Sequence, residues 1–503
     1  MPQQSGTQTV HGQPSAGEKL AAKGQFIFTS LGRFYLPSGQ SQPIALESRR
    51  FAALVGKLAG VSRRSGKFGS VLNEVKDYAE LHHTRARAET CAAIVPQRDK
   101  LMVNLGDGLV AHIPAGQLVQ PSENNRHGAL FVDEPVFQGL RWQDLKRDIP
   151  EGWHQLPALH SAILDHLPPS REDGLTAAEQ RALVAAAWIG VFLRDLAPER
   201  PILALVGPPE SAKTATARLL GTAFYGAGYD VSGGAATNRM VKDVAAAVSS
   251  RSMVVRDDIN AAPDGLMDLL CRCATGATFE LSAFYETLDL VTYESRAALV
   301  LTAHQPRWAT RADVLSRLLV IRLTKPPEDM IGTAARIQRV LAARPAIWAE
   351  TLCALQAALQ DRPRQQPVTR FADWEHFVRA VLEQAGMGEA FESALRKQAS
   401  ERTALIVEAD PFLALLYAFA LAADNRDKWF TAADLVDALA EFAGVGRHHH
   451  DRHRAVYTTR SPHALSRTLA HIERVGSTVV AVTRGVQKAH GNVLRWNIRP
   501  VAS

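Results

Sequence analysis

Cysteine is scarce, at four in 503 residues. So few thiols exclude a disulfide-held scaffold and suit a reducing compartment. Long hydrophobic runs are missing as well. The longest, Leu183–Leu193 and Pro411–Ala423, fall short of the roughly 20 residues a membrane-spanning helix needs. The first 19 residues carry no apolar core and do not read as a secretory signal. Neither sign of charge dominates: 57 Lys and Arg against 51 Asp and Glu leave +6, too little to name a polyanion as partner. These absences point to a soluble, cytoplasmic protein with no membrane partner. At 46% apolar and 21% charged residues, the chain is neither disordered nor a fibrous repeat. Its length suits two to four domains.

The expected fold class is α/β, in six stretches. Residues 1–24 are polar and read as a flexible tail. Residues 25–140 alternate short strand patterns around one helix, Ser48–Leu58, with Gly106-Asp107-Gly108 as a turn, and form a mixed α/β domain. A helical collar, 141–200, contains the helix Leu175–Leu193, opened by a Thr176/Glu179 capping box. Apolar strands then alternate with helices through 201–326: Ile202–Val206, Met253–Arg256, Ala298–Leu301 and Leu319–Leu323. A helical region, 327–425, follows. Residues 426–503 read helix, helix, strand, loop, strand, the order of a winged helix-turn-helix.

The strongest chemical signal is Ile202–Val206 followed by Gly207-Pro-Pro-Glu210-Ser211-Ala212-Lys213-Thr214 and a helix. A strand, a tight loop, Lys-Thr and a helix N-terminus are what a phosphate-binding loop requires. Backbone N–H groups face the phosphates, Lys213 reaches the β and γ oxygens, and the Thr214 hydroxyl ligates Mg²⁺. ATP and Mg²⁺ are therefore the expected cofactors, with Gly207, Glu210, Ser211, Ala212, Lys213 and Thr214 around the nucleotide. Ala212 stands where glycine is usual, which costs only if the position needs positive φ. Glu210 puts a carboxylate in an anion-binding loop, unfavourable unless it points away. The bland reading is an ordinary strand–turn–helix with a solvent-exposed lysine. A second acidic motif ends the strand Ser252–Arg256: Asp257 for the Mg²⁺ shell, Asp258 for the attacking water.

Together with Leu269–Gly276, Phe279 and Tyr285, these segments resemble the ATPase core encoded by phages and integrative mobile elements. That group is related to the primase-associated superfamily III helicases of the AAA+ class. The resemblance extends to Leu299–Thr302 and to Asp313-Val-Leu-Ser-Arg317, and more faintly to Val103–Asp107. It implies an AAA+ P-loop core and a ring, usually hexameric, with nucleotide between subunits. Thr302 would then sense the γ-phosphate or orient water, and Arg317 would be an arginine finger entering a neighbour's site; the ordinary alternative for Arg317 is a surface ion pair. The chain departs from the family at Glu210 and Ala212, at Asp258 where Asn is typical, and in Glu280–Glu294. That segment should carry basic DNA contacts, yet it holds Glu280, Glu286, Asp289 and Glu294 with no Lys or Arg.

Basic charge collects at the C-terminal end. Residues 441–503 hold ten Lys or Arg and three Asp or Glu, net +7, an electrostatic footprint for DNA. On a helix spanning 461–475, Arg467, His471 and Arg474 share one face, and Lys488 lies in a wing-like loop. The same face could equally be a solvated surface serving protein contacts. His448–His450 with His453, and Cys271-x-Cys273, have poor ligand spacing for a metal. The leading expectation is a helicase-like ATPase motor of a mobile element acting on DNA. The alternatives are a nucleotide-switched scaffold with little hydrolysis, in regulation or anti-phage defence, and a DNA-binding assembly protein that has lost nucleotide.

Overall fold

A computed structural model describes residues 14–500 except 95–99, 116–117, 127–128, 148–154, 173, 232–237, 261–264, 283–289, 305, 307–310, 328–331, 361–363, 410, 423–424, 426–427, 444–460, 476–479 and 488–492. The chain divides into two compact units, residues 1–135 with 139–142, and 136–138 with 143–503.

The first unit opens with α1 (Ala16–Ala21), inside the stretch expected to be a tail. Two local facts explain the helix. Ser15 and Glu18 form a reciprocal capping box, and Leu20 is fully buried in the unit's core. The strands β1 (Gly24–Thr29), β2 (Gly32–Pro37) and β3 (Ile44–Ala45) precede α2 (Arg49–Ala59), which is capped by Ser48 and ends at left-handed Gly60. Next come α3 (Phe68–Leu81) and β4 (His83–Arg85), which lies parallel to β1 in a sheet of order β3-β2-β1-β4. Phe26, Tyr35, Phe51, Val55 and Val75 fill the space between sheet and helices.

Short strands β5 (Ala88–Glu89) and β6 (Ala92–Ile94) lead to β7 (Lys100–Gly106), β8 (Leu109–Pro114) and β9 (Gln120–Glu123), a meander of order β6-β7-β8-β9. The β7–β8 turn has positive φ at Gly106, Asp107 and Gly108. Asp107 tolerates this because its N–H donates to Asp133 Oδ2 (2.9 Å). A short strand β10 (Leu130–Phe131) pairs with β5.

The second unit is built around one parallel sheet. After α4 (Trp142–Arg147), α5 (Pro157–Ala162) and α6 (Ala177–Gly190) come β11 (Ile202–Val206), α7 (Lys213–Tyr225), α8 (Asn238–Ser250), β12 (Met253–Arg256) and α9 (Leu266–Ala274). A hairpin of β13 (Thr278–Ser282) and β14 (Leu290–Glu294) precedes β15 (Ala298–Ala303), α10 (Ala312–Leu315) and β16 (Leu318–Arg322). The strand order is β12-β15-β11-β16, all parallel and buried along their whole length. Burial on both faces is why these strands are continuous apolar runs in the sequence.

Helices α11 (Thr333–Ala354), α12 (Ala372–Gln384) and α13 (Gly388–Ala409) then pack on this core. Trp188, Phe192, Phe224 and Trp348 meet in one aromatic cluster, with ring centroids 5.3–6.5 Å apart. The free edge of β16 is closed by side chains of α13. Gln398 accepts from Val320 N (2.7 Å) and donates to Val320 O (3.2 Å), as a neighbouring strand would. Arg402 donates to Leu318 O (2.6 Å), and Arg322 pairs with Glu401 (2.8 Å), both side chains buried. The chain closes with α14 (Pro411–Leu421), α15 (Ala432–Phe442), α16 (Pro462–Val475) and the antiparallel pair β17 (Val480–Gln487) and β18 (Val493–Pro500). Buried Trp496 exchanges backbone hydrogen bonds with Phe430, tying β18 to the start of α15. No helix among the described residues is long and apolar enough to cross a membrane.

Candidate functional site

The turn from β11 into α7 is left-handed at two non-glycine residues, Glu210 (φ 65°) and Ala212 (φ 55°). Left-handed residues flank Ser211 on both sides, and the Ser211 N–H itself closes the turn onto Pro208 O (3.3 Å). Gly207 has no substitute: a Cβ there would lie 2.2 Å from Leu323 O and 2.8 Å from Ser211 Oγ. Ser211 is fully buried and donates to Pro208 O (2.8 Å). Ala212 therefore does occupy a position that needs positive φ. Glu210 is largely exposed and pairs with Lys325 at 3.3 Å, so its carboxylate leaves the cradle.

Lys213 folds back over the loop. Its Nζ donates to Gly207 O (2.8 Å), Pro208 O (2.7 Å) and Ser211 Oγ (3.2 Å). Burial lowers the ammonium's pKa, and the nearby Asp257 and Asp258 carboxylates oppose that shift. At the next position, Thr214 Oγ1 donates to Asp257 Oδ1 (2.7 Å). Thr302, at the end of β15, donates to the same oxygen (2.5 Å) and accepts from Asp258 N (2.9 Å). The ends of β12 and β15 and the first turn of α7 thus meet at one carboxylate, at the end of a parallel α/β sheet where ligands bind.

Two residues not anticipated from sequence complete a polar chain. Asn260 donates to Asp258 and accepts from His304 N (2.6 Å), and the His304 ring Nδ1 lies 3.1 Å from Gly207 O. Each sits two residues past the acid or sensor position, an offset that carries no motif. A cleft of about 390 Å³ opens beside Gly207, Pro208 and His304, with Leu323, Thr324 and Leu405 on its other walls.

Arg317 is not part of this cluster. It precedes β16, whose Leu318 pairs with Ile202 at the start of β11, so it sits at the opposite end of the sheet. Five residues of strand put it roughly 16 Å from the loop. Its guanidinium donates to Asp313 O (2.5 Å) beside the Arg311–Asp268 and Arg311–Asp313 ion pairs. Of the four acids in 280–294, Glu280 is exposed, whereas Glu294 pairs with Arg194 and Arg296. Glu294 thus has its charge compensated by two arginines within the chain. Glu286 and Asp289 lie outside the described residues.

At the C-terminal end, Arg467 is exposed on α16. His471 and Arg474 are on the same helix, with side chains outside the described residues, as is Lys488 altogether. His448–His450 and His453 also fall outside them. Cys271 contacts Asp313 Oδ2 at 3.5 Å, and Cys273 is buried, its thiol pushed up to about 12 by burial. No group of three or more metal-ligating side chains occurs among the described residues.

No family model and no curated protein matches the chain. Solved structures do. The apo C-terminal region of NrS-1 (A form) aligns over 96% of this chain and 98% of that one, with 13% identity and a TM-score of 0.40. Another apo structure of that region, residues 305–718, gives 13% identity and a TM-score of 0.41 over 96% and 97% of the two chains. Cch of SCCmec type IV, an active helicase, gives 12% identity and a TM-score of 0.38 over 93% and 90%. The similarity is one of mixed α/β architecture, and at this level it assigns no role to any residue.

Proposed function

We propose that this chain is an ATPase with an AAA+ P-loop core, acting on DNA as a helicase-like motor of a mobile element and working as a ring. The observation that carries the reading is the convergence of Thr214 and Thr302 on one oxygen of Asp257, directly beside Lys213. The cradle fits the nucleotide it would take. Its backbone is left-handed at Glu210 and Ala212, its glycine cannot be enlarged, and its one carboxylate points outward.

When bound, Mg²⁺-ATP supplies the transferable γ-phosphoryl group together with a cation to neutralise its charge. Thr214 Oγ1 and the Asp257 carboxylate would hold the metal, and Thr302 fixes the orientation of that carboxylate. Lys213, now held by the carbonyls of Gly207 and Pro208, would turn to phosphate oxygens. Asp258, braced by Asn260, is placed to accept a hydrogen bond from water. Arg317, at the far end of the sheet, acts only in the site of an adjacent copy, which is the physical reason for the ring. DNA contact falls to the winged-helix order of the C-terminal module, through Arg467, His471, Arg474 and Lys488.

A second reading has its own observation. Two non-glycine residues held left-handed make a strained loop, and such a loop suits nucleotide held as a switch, with little turnover. Measuring ATP hydrolysis with and without single-stranded and duplex DNA separates the two. DNA-stimulated turnover abolished by Lys213→Ala is the expected result. Tight ATP binding without turnover under every condition would overturn the motor and leave the switch.

A further inference from the structure

The first unit carries a cationic groove that the ATPase reading does not use. It has a volume of about 790 Å³ and runs along α2, with Ala53, Leu54, Leu58 and Ile44 among its apolar lining and Lys23, Arg50 and Lys57 as its charged lining. Among the described residues no acidic side chain lines it. From Ser48 to Asn73 the sequence holds six Lys or Arg and no Asp or Glu. Local acids are engaged elsewhere: Glu47 and Glu80 both pair with Arg33. Arg50 donates to a neutral partner, Gln42 Oε1 (2.8 Å), and Gln42 reaches Asp133 on its other side (3.1 Å).

The placement of charge runs against helix stability. Arg49 and Arg50 occupy the first turn of α2, at the positive end of its dipole, and no acid accompanies them. Both side chains, with Lys23 and Lys57, are exposed. Cations maintained where they repel the helix terminus are cations available to an external anion. Arg50 and Lys57 are seven residues apart, about 10 Å along the helix axis, far enough apart to meet different phosphates of one strand.

We propose that this groove binds single-stranded nucleic acid, with the cations along the phosphates and the apolar wall against base faces. An apolar wall beside a cationic track suits an unpaired strand, whose bases are free to pack, better than a duplex that presents mainly backbone. An anionic membrane is the weaker match. The exposed large hydrophobic residues among those described, Leu81, Leu118, Val368, Leu421, Trp429 and Phe442, do not line the groove, and its own Leu54 and Leu58 are half-buried.

The test uses the full chain without nucleotide, so the outcome is independent of ATP turnover. Binding of a fluorescent oligo(dT) and of a duplex is titrated across salt for wild type, Arg50→Gln/Lys57→Gln, Arg50→Glu/Lys57→Glu and Arg467→Glu. Thermal unfolding of each variant checks its fold. The expected result is roughly tenfold weaker oligo(dT) binding by the Gln pair, with the salt slope reduced by about 1.4, two contacts' worth on a single strand. The Glu pair should bind more weakly still. Unchanged affinity and slope in both pairs would overturn the proposal, as would oligo(dT) binding that falls only in Arg467→Glu. Loss of duplex binding alone, or of phosphatidylserine-vesicle binding with the oligonucleotide unaffected, would overturn it equally.

Discussion

The two ends of the parallel sheet differ in what their polar groups do. At the C-terminal end, Thr214 and Thr302 both donate to Asp257, and Lys213 is held by carbonyls of its own loop. These are groups gathered in a concavity and satisfied by one another. At the N-terminal end, Arg311 pairs with Asp268 and Asp313 across an exposed surface, and Arg317 lies beside them. The first arrangement suits a small anionic ligand with its cation. The second suits contact with another copy of the chain. Under the proposed function, one sheet with strands all pointing the same way would separate the binding half of a composite site from its completing half.

The largest expected effects test that separation directly. Arg317→Ala should lower ATP turnover by roughly 10³-fold or more while leaving nucleotide affinity nearly intact. Lys213→Ala should lose both. Mixing the two inactive variants should restore part of the turnover, because mixed assemblies contain some interfaces with an intact loop and an intact arginine. Failure of the mixture to recover, with both variants folded, would remove Arg317 from catalysis. Next, Thr302→Val should reduce turnover by about 10- to 100-fold and weaken apparent Mg²⁺ affinity, since an outer partner of a metal-holding carboxylate is lost. Titration of activity against Mg²⁺ reads both effects.

A third prediction concerns the brace at the loop end of β16. Arg322→Met leaves Glu401 buried without its partner and should cost about 3–5 kcal/mol. Arg322→Met with Glu401→Leu should return most of it, as read by denaturant unfolding. The smallest effect belongs to the loop. Ala212→Gly removes a left-handed strain of about 1–2 kcal/mol and adds chain entropy costing about 0.5–1 kcal/mol. A net gain near 0.5–1 kcal/mol is expected, and turnover should rise if strain makes the loop a poor catalyst. Unchanged turnover with raised stability would separate strain from catalytic competence.

Legibility followed the range over which each feature is determined. The strands Ile202–Val206 and Met253–Arg256 were readable to the residue because burial on both faces imposes an uninterrupted apolar run. The Thr176/Glu179 box was readable because its two hydrogen bonds span three residues. α3 was present in the spacing of Val71, Leu72, Val75 and Tyr78, but Lys67 gives it no side-chain cap to mark a start. The pairing of Glu294 with Arg194 was not readable, because the two are 100 residues apart.

The sequence by itself determined the loop, the acids after β12, the order of strands and helices around them, and the basic end of the chain. Each is set by neighbours within a few residues, through periodicity, capping and backbone preference. Tertiary structure alone decided that Thr214 and Thr302 share one Asp257 oxygen, that His304 and Asn260 link Asp258 to Gly207, and that Gln398 closes the edge of β16. Apart from the short Asn260–Asp258 link, those contacts join residues 43 to 97 positions apart, which parallel strand pairing and the packing of α13 on β16 bring to one place.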